Sequence, residues 1–420
     1  MSSARDRSIT IVGAGPVGLT VAALMAKSGA HPALQIRILE PRPIPSWEPT
    51  NTDLRVYALS RASQRILEHV DVWGEIAAAR ISPYRAMRVW EGEDPFGLGS
   101  LYFDSAELGE SDLGHIVEDR LIRDRLFSSL SDCSNVELRV GVEVAAVRSG
   151  PRAVEIETRD GETFSSTVLV AADGGASTVR ELLNLPVTTT DYEQEAIVAH
   201  VESSEPHRET AWQRFLPSGP LAFLPLVDGR SSVVWSLSTS AAQRLSSASE
   251  SEFLAELSAA SGGALGELGA SSSRASFPLK VLHARDYCAP RVVLVGDAAH
   301  TIHPLAGQGM NLGLLDAAAL SETLSDAICD QEDPGDLRVL RRYERQRKGG
   351  NLKTLLAMDA LHRLFRLPGP LFAPLRAAGL SAVDASGLAK RRLMREALGL
   401  SGELPRAARR NVAWAICAHV

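Results

Sequence analysis

The sequence predicts an α/β fold, in which one parallel-sheet domain is interrupted by a mixed-sheet insertion and followed by C-terminal helices. Three stretches predict it. Ile9–Val12, Thr167–Ala172 and Val292–Val295 are short, largely β-branched and aliphatic runs, and each leads into a glycine-bearing turn and then a helix. Apolar runs of that length suit strands buried on both faces, the habit of parallel sheets covered by helices.

Ile9–Val12 runs into Gly13-Ala14-Gly15-Pro16-Val17-Gly18 and the helix Leu19–Lys27, and a second strand, Ile36–Leu39, ends at Glu40. Strand, GxGxxG, helix, strand and acid in that order form the pattern of a Rossmann-like dinucleotide fold. Gly13 permits the tight turn, Gly15 the approach of a pyrophosphate, and Gly18 close packing of helix on strand. The helix start faces the phosphates. Glu40 suits the diol of an unphosphorylated ribose, in NAD and FAD alike. A purely structural glycine turn is the bland alternative, and the flanking strands and acid weigh against it.

Pro41–Thr52 carries four prolines, Pro41, Pro43, Pro45 and Pro49, and reads as a loop. It leads through Asp53–Ser60 to a helix from about Arg61 to Val70. Arg55 sits just before that helix, where a surface ion pair is the commoner fate of an arginine. Residues 84–104 read as β structure, with strands at Met87–Trp90 and Leu101–Phe103. A helix begins at Glu118-Asp119-Arg120 and runs through Leu130. Val136–Val147 reads as one strand. Val154–Thr158 and Thr163–Phe164 form a hairpin around Asp160-Gly161. Thr167–Ala172 ends in Asp173-Gly174-Gly175-Ala176-Ser177, with a helix from about Thr178. Asp173 either caps that helix or serves a ligand, and the sequence leaves both open.

From Leu185 to Ala284 the composition shifts. Strands are predicted at Ala196–Val201, Arg214–Leu216, Ala222–Leu226 and Val233–Leu237, and a helix at Glu250–Ser258; residues 258–273 read as loop or weak helix. The domain boundaries that follow are 1–184 for the first part of the sheet domain, with strands near 84–104 on the insertion's side, 185–285 for the insertion, 286–365 for the second part, and 366–420 for a C-terminal helical region. Arg214, Phe215, Phe223 and Trp235 are candidates to line a chamber in the insertion, although strand aromatics are more often plain core.

Val292–Val295 reaches Gly296-Asp297, at the strand's carboxyl end where open α/β sheets place their ligands. Pro304, Gly307 and Gly309 follow, and Met310 and Asn311 open the helix Asn311–Ile328. Glycines there admit a flat ligand closely. Helix-start N–H groups carry partial positive charge suited to an electron-rich ring oxygen or an anionic ring. His300 and His303 lie three apart, with no further ligands nearby. They read as structural parts of the loop, and no metal site is predicted. Pro334-Gly335-Asp336 starts another helix, which Leu352–Phe365 continues. Leu367–Pro374 is proline-rich. Basic clusters at Lys390–Arg395 and Arg406–Arg410 lie beside apolar residues. They would suit an acidic lipid surface or a partner, while an ordinary solvated face is the commoner outcome.

Composition sets the remaining bounds. The chain has 420 residues, enough for a large core, and 45% hydrophobic with 23% charged residues is ordinary for a globular protein. A net charge of −7 gives no basic signal for nucleic acid. Cys133, Cys288, Cys329 and Cys417 lack metal-type spacing and form no disulfide framework, which fits a reducing compartment. No secretory signal is visible and no run approaches the ~20 apolar residues of a membrane span, so a cytoplasmic protein is expected.

GAGPVG, AADGGAS and GDAAHTIHPLAGQGMNLGLLDA, in that order, resemble the FAD-dependent aromatic hydroxylases, the p-hydroxybenzoate-hydroxylase-like flavoprotein monooxygenases. DLRVYALSRASQRILEHVDVW, GQGMNLGLLDA, YERQRKGGN and MREALGLSGELP resemble their ubiquinone-biosynthesis branch, and the similarity runs from about Ser8 to Pro405. The resemblance implies a Rossmann-like FAD-binding domain with an inserted mixed-sheet substrate domain and C-terminal helices. It implies the FAD ribose at Glu40, the pyrophosphate at Gly13 to Gly18, and Arg55 and Arg120 near the phosphate or ring. Asp297 would meet the ribityl and pyrophosphate part. Pro304 and Gly307 would lie near the ring, and Gly309, Met310 and Asn311 would offer it backbone N–H groups. Asp173-Gly174 would serve both FAD and a reduced nicotinamide.

NAD(P)H is then a transient co-substrate, in keeping with a single GxGxxG. A flavin hydroperoxide would deliver oxygen to an electron-rich phenol; the sequence names no catalytic base. The implied substrate is a polyprenylated phenol on the way to ubiquinone, with oxygen as co-substrate. The implied setting is peripheral contact with the inner membrane, a multi-protein quinone-making complex and a homo-oligomer, with no nucleic-acid partner. Three rivals are a flavin monooxygenase of a soluble aromatic, a flavin-dependent reductase of prenyl double bonds, and a non-catalytic flavoprotein in a quinone-making complex.

Overall fold

Val12 pairs in parallel with Leu39 on one side and Ala171 on the other, and Ala171 pairs with Leu294. The three predicted strands are therefore neighbours, and their glycine turns meet at one sheet edge. The full six-stranded order is Cys288–Ala289, Val292–Leu294, Val168–Ala171, Ser8–Val12, Gln35–Glu40 and Val136–Val140, parallel except for the first. Helices Pro16–Lys27 and Gln308–Cys329 pack together, their small buried faces including Ala22, Ala23 and Ala317 to Ala319. The structure is a computed structural model and describes residues 7–30, 33–303, 307–367 and 371–410. Pro304 and the tail Val412–Val420 lie outside the described residues.

Val136–Val147 is not one strand. It breaks at Gly141, whose φ of +82° favours glycine, and Glu40 O accepts bonds from Gly141 N and Val142 N at 2.8 and 3.2 Å. Val144–Ser149 instead joins the predicted hairpin in a three-stranded antiparallel sheet. Alternation ran across the break because it does not register a change of sheet.

The second large sheet has nine strands. Eight follow one path: His300–Thr301, Ala275–Ala284, Val187–Ser203, Ser231–Ser238, Gly219–Pro225, Thr210–Leu216, Ala86–Glu91 and Ser100–Asp104. Leu268–Ser271 pairs with Val187–Ser203, so residues 258–273 hold a strand rather than only loop or weak helix. Elements that escaped the sequence reading include the helices Trp73–Ala79 and Thr239–Ser247 and the strands Gly114–Glu118 and Ala275–Ala284, the last with Pro278 and Lys280 spoiling its apolar pattern. Ala86–Glu91 runs parallel to Thr210–Leu216, which ties the early strands into this sheet.

Helices Thr239–Ser247 and Glu250–Ser261 cover one face of the nine-stranded sheet. They bury Ile197, Leu221, Phe223, Val233 and Trp235. Phe223 and Trp235 are thus core, and Arg214 Nη1 is spent on Ala260 O at 2.8 Å. Phe215 faces the other way and stacks on Phe365 at 3.7 Å.

Leu337–Arg366 is one continuous helix, joining two predicted pieces. Phe372–Ala385 docks on the strand Ser100–Asp104 and its approach through Tyr102 N to Asp384 Oδ1 and Gly99 N to Ser381 Oγ, both 3.1 Å. The basic clusters are partly consumed: buried Lys390 contacts Glu107 and Asp384, and Arg406 contacts Glu322. Cys133 and Cys288 are free thiols. No described helix is long and apolar enough to cross a membrane.

Candidate active site

The glycine loop separates two closed positions from one open one. A Cβ at Gly13 would lie 2.4 Å from Ala172 O, and one at Gly18 would lie 2.1 Å from Gly13 O. At Gly15 a Cβ would meet nothing within 4 Å. Gly13 and Gly18 are therefore required by the fold, whereas the space at Gly15 is left for something else. Glu40, only 8% exposed, folds back on this loop: Oε2 accepts from Ala14 N at 2.6 Å and Oε1 from Arg42 N at 3.1 Å.

At the third junction, Asp297 is half-buried and makes no side-chain hydrogen bond to another described residue. Burial pushes its carboxyl above the usual range, against the pull of His300 and Arg55. Gly309 lies beside it: a Cβ there would be 4.0 Å from Asp297 Oδ1. Gly307, at φ +60°, opens the helix Gln308–Cys329 without a side-chain cap, so the first N–H groups are left for another partner. Arg55 is exposed, its guanidinium 5.4 Å from the Tyr57 ring, and Asp119, Asp297 and Asp53 share its field. Tyr57 donates to Asp119 Oδ1 at 2.9 Å. Arg120 is tethered to Asp53, its backbone N–H donating to Oδ2 at 3.1 Å and its Nε lying 3.9 Å from Oδ1.

Asp173 shows both sides of its two readings. Oδ2 accepts from Val179 N at 3.1 Å, a helix-capping bond, while Oδ1 is buried with no partner among the described residues. Burial raises its pKa, against hydrogen bonds from Ser177 and Val179. The second and third junctions are joined by Arg180, which the sequence reading missed. It is 5% exposed and donates to Ala298 O at 2.9 Å and Gly175 O at 2.8 Å. Its only sequence signal is its place behind the Asp-Gly turn.

The loop between Gly296 and Asn311 is held from behind. Asp316 Oδ2 accepts from Gly296 N at 3.2 Å and lies 2.5 Å from His300 Nε2, while Oδ1 takes Arg347 Nε at 2.8 Å and Asn351 Nδ2 at 3.0 Å. Asn311 spends its side chain on the strand Val56–Leu59 and the helix after it: Oδ1 accepts from Ser60 N at 2.9 Å and Ser63 Oγ at 2.7 Å, and Nδ2 donates to Ala58 O at 3.0 Å. His303 packs into a ring cluster, 5.3 Å from Tyr192 and 4.5 Å from His362. The two histidines thus go to separate structural tasks. No group of three or more metal-type ligands occurs among the described residues.

Residues 6–351 match the family model described as an FAD binding domain. The 3-demethoxyubiquinol 3-hydroxylase of Escherichia coli (strain K12) is 34% identical over 393 residues, spanning 93% of this chain and 98% of the relative. This chain belongs to the FAD-dependent ubiquinone-biosynthesis hydroxylase family. A mitochondrial ubiquinone biosynthesis monooxygenase COQ6 of Drosophila melanogaster is 33% identical over 437 residues, covering 95% of this chain and 91% of the relative. The crystal structure of p-nitrophenol 4-monooxygenase PnpA from Pseudomonas putida DLL-E4 shares the fold, with a TM-score of 0.74 at 19% identity over 93% of this chain and 98% of that one.

The hydroxylase is an FAD-dependent monooxygenase, and its residues fit the cofactor. A Cβ at Gly15 would meet nothing within 4 Å, Asp297 makes no side-chain hydrogen bond among the described residues, and the helix at Gly307 has no side-chain cap, all of which fit a bound cofactor. A cavity of about 270 Å³ is lined by Val56, Ile81, Ile116 and Leu226 together with the charged Arg80, Glu118, Asp228 and Arg230. A Cβ at Gly307 would lie 3.5 Å from Ala58 Cβ, and Ala58 is two residues along the strand from Val56. That spacing puts the cavity wall roughly 7 Å from the helix start.

Proposed function

We propose that this hydroxylase inserts one oxygen atom into the aromatic ring of a polyprenylated phenol during ubiquinone biosynthesis, with NAD(P)H as reductant and oxygen as co-substrate. The observation that supports the reading is the uncapped helix at Gly307 beside the Asp297 carboxylate, which makes no side-chain hydrogen bond among the described residues, with a cavity of mixed apolar and charged lining reached along the strand Val56–Leu59. FAD, when bound, supplies the redox chemistry that takes electrons from NAD(P)H and activates oxygen. The chain's own residues bind and orient. Gly13, Gly15 and Gly18 cradle the pyrophosphate, and Glu40 takes the ribose diol. Arg55 and Arg120 balance phosphate charge, and Asp297 receives the ribityl hydroxyls. Gly309, Met310 and Asn311 offer backbone N–H groups to the ring, with Pro304 and Gly307 beside it. Asp173 serves the same site through its free Oδ1. The unit of 185–285, with the strands near 84–104, walls the chamber and keeps water from the reacting centre.

The relatives' names refer to ubiquinone and demethoxyubiquinol, which favours a greasy substrate here. A cytoplasmic enzyme peripheral to the inner membrane suits such a substrate. Leu371, Leu375 and Leu388 are 83%, 67% and 80% exposed, and Arg391, Arg392 and Arg395 are exposed nearby in sequence. That mix of leucine and arginine matches an interfacial surface. Self-association and work beside other quinone-making proteins complete the reading, on the strength of the family resemblance. The test is a quinone-lipid profile of cells lacking the protein, with oxygen-18 gas supplied on restoration. The expected result is an under-hydroxylated prenylphenol that accumulates and then gains one labelled ring oxygen. An unchanged quinone pool would sink the proposal.

A further inference from the structure

A second cavity, also of about 270 Å³, backs onto the first: Thr50, Thr52 and Arg230 line both. Its wall is otherwise polar, with His200 and Ser272 among its residues, Leu54 the one aliphatic side chain, and no carboxylate. Strand pairing brings the parts together. His200 in Val187–Ser203 pairs with Ser232 in Ser231–Ser238, which places Arg230, two residues before Ser232, at its side. The walls are fixed in place. His200 N donates to Ser272 Oγ at 2.9 Å, and Ser272 N donates to His200 O at 2.8 Å. Thr52 Oγ1 accepts from Arg80 Nη1 at 3.3 Å and from Arg230 Nη2 at 3.1 Å.

Two groups in this wall are incomplete. His200 is 1% exposed, and its Nε2 is buried with no partner among the described residues. Burial, and after it Arg230, pushes its pKa down to about 4, so the imidazole is neutral and one ring nitrogen is an acceptor. Arg230 donates to Asp228 Oδ2 through Nε at 2.9 Å and Nη2 at 2.6 Å, which leaves Nη1 without a hydrogen bond to a described residue. A buried acceptor left unmatched is costly, and a ligand N–H would relieve it. The ligand's class follows from the same inventory. An anion would find one guanidinium, already paired with Asp228, and a cation would find no carboxylate. A prenylated phenol would press its apolar bulk against polar walls. A primary amide answers both groups: its carbonyl accepts from Arg230, which can only donate, and its N–H is left for His200.

We propose that this second cavity seats the dihydronicotinamide ring of NAD(P)H, with Arg230 Nη1 on its carboxamide oxygen and His200 Nε2 on its carboxamide N–H. The inference rests on the proposed use of NAD(P)H and gives the reductant a seat beside the first cavity, at Leu54, next in sequence to Arg55. The reduced ring is neutral and matches the lining. Once its hydride has passed to FAD the ring is a pyridinium cation, which a wall without a carboxylate does not hold.

The test is anaerobic stopped-flow reduction of the flavin-loaded protein, which gives a Kd for each of two probes. One is NADPH; the other is its reduced 3-acetylpyridine analogue, which keeps the carbonyl and lacks the amide N–H. NADH and its own analogue are run alongside. The wild type binds the amide at least tenfold more tightly, the worth of one good hydrogen bond. His200→Phe loosens the amide at least tenfold and leaves the analogue within about threefold, so the preference collapses. His200→Gln, which restores an acceptor, recovers part of it. Arg230→Met weakens both probes alike, because both carry the carbonyl. Bound FAD and its reduction by dithionite stay at the wild-type level in each variant. Equal binding of amide and analogue by the wild type, a comparison that needs no variant, would overturn the inference. So would a His200→Phe protein that keeps the wild-type preference, or one in which only the Kd of 2-geranylphenol moves. If neither pair reduces the wild-type flavin, the NAD(P)H reading falls and this inference falls with it. Labelled oxygen in the ring would still test the hydroxylase reading separately.

Discussion

Asp316 Oδ2 lies 2.5 Å from His300 Nε2, and both side chains are wholly buried. Burial opposes a charge on Asp316, but His300 and Arg347, with hydrogen bonds from His300 and Asn351, hold its pKa well below the carboxylate range. The same carboxylate anchors Gly296 N, one residue before Asp297. Asp316→Ala leaves a buried guanidinium without its partner, and a loss of about 3–5 kcal/mol is expected. Urea unfolding at pH 7 checks it. The pH sign follows from the depressed folded pKa. The contribution is fully present above the unfolded value of about 4 and is lost as pH falls through the folded one. Wild-type stability should therefore drop more steeply below pH 4 than that of the variant. Parallel curves for the two proteins would contradict the assignment.

Gly15 and Gly18 should part company on substitution. Gly18→Ala drives a Cβ to within 2.1 Å of Gly13 O, a backbone atom that cannot step aside. It should destabilise the apoprotein by several kcal/mol, in the range of severe overpacking. Gly15→Ala meets no protein atom within 4 Å. The apoprotein should keep its stability to within about 0.5 kcal/mol, while bound FAD falls sharply. Melting curves of apoprotein and flavin absorbance after gel filtration separate the two. A Gly15→Ala protein that purifies with full flavin would remove this glycine from the cofactor site.

The glycine loop and the two aspartate turns were legible because each is a local pattern: a strand, a turn that needs glycine, a helix. That these strands share a parallel sheet was legible for the same reason, whereas their order in it became visible only in the structure. Arg180, Asp316 and Arg347 were not singled out, because a charged residue carries no local mark of burial; it becomes visible only when Ala298 O or His300 is brought to it by the fold. Asn311 was read for its backbone N–H, whereas its side chain is a clamp on Ala58, Ser60 and Ser63, some 250 residues away in sequence. Ala275–Ala284 went unread because it lies near the sheet's edge with Pro278 and Lys280 in it, where alternation gives little guidance.

Asp297 is a carboxylate kept at a cost. Burial raises its folded pKa, so above that pKa the apoprotein carries a poorly solvated charge. The sign is opposite to that of Asp316: this group weakens the apoprotein at neutral pH and weakens it less as pH falls toward the folded pKa. Asp297→Asn should raise the apoprotein's melting temperature at pH 7 by a few degrees and lower its flavin content at least tenfold. A variant with unchanged flavin content would count against its place in the site. One with a lower apoprotein melting temperature would count against the burial argument.

Arg180 ties the turn at Gly175 to the turn after Asp297 by donating to a carbonyl on each. The two turns are separate in sequence and belong to different strands, so their spacing depends on whatever spans them. A guanidinium does this with a rigid fork, and an ammonium cannot reach both acceptors in fixed geometry. Arg180→Met strands two carbonyls, with an expected cost of roughly 1–3 kcal/mol for each one left buried. Arg180→Lys should recover some of that stability, because one carbonyl regains a charged donor. Flavin affinity should behave differently, since it depends on the distance between the turns rather than on total stability. Both variants should bind FAD about tenfold more weakly, measured by fluorescence titration of the apoproteins at a temperature where each is fully folded. A lysine variant with wild-type affinity would show that Arg180 serves stability alone and that the sheet edge sets the spacing without it.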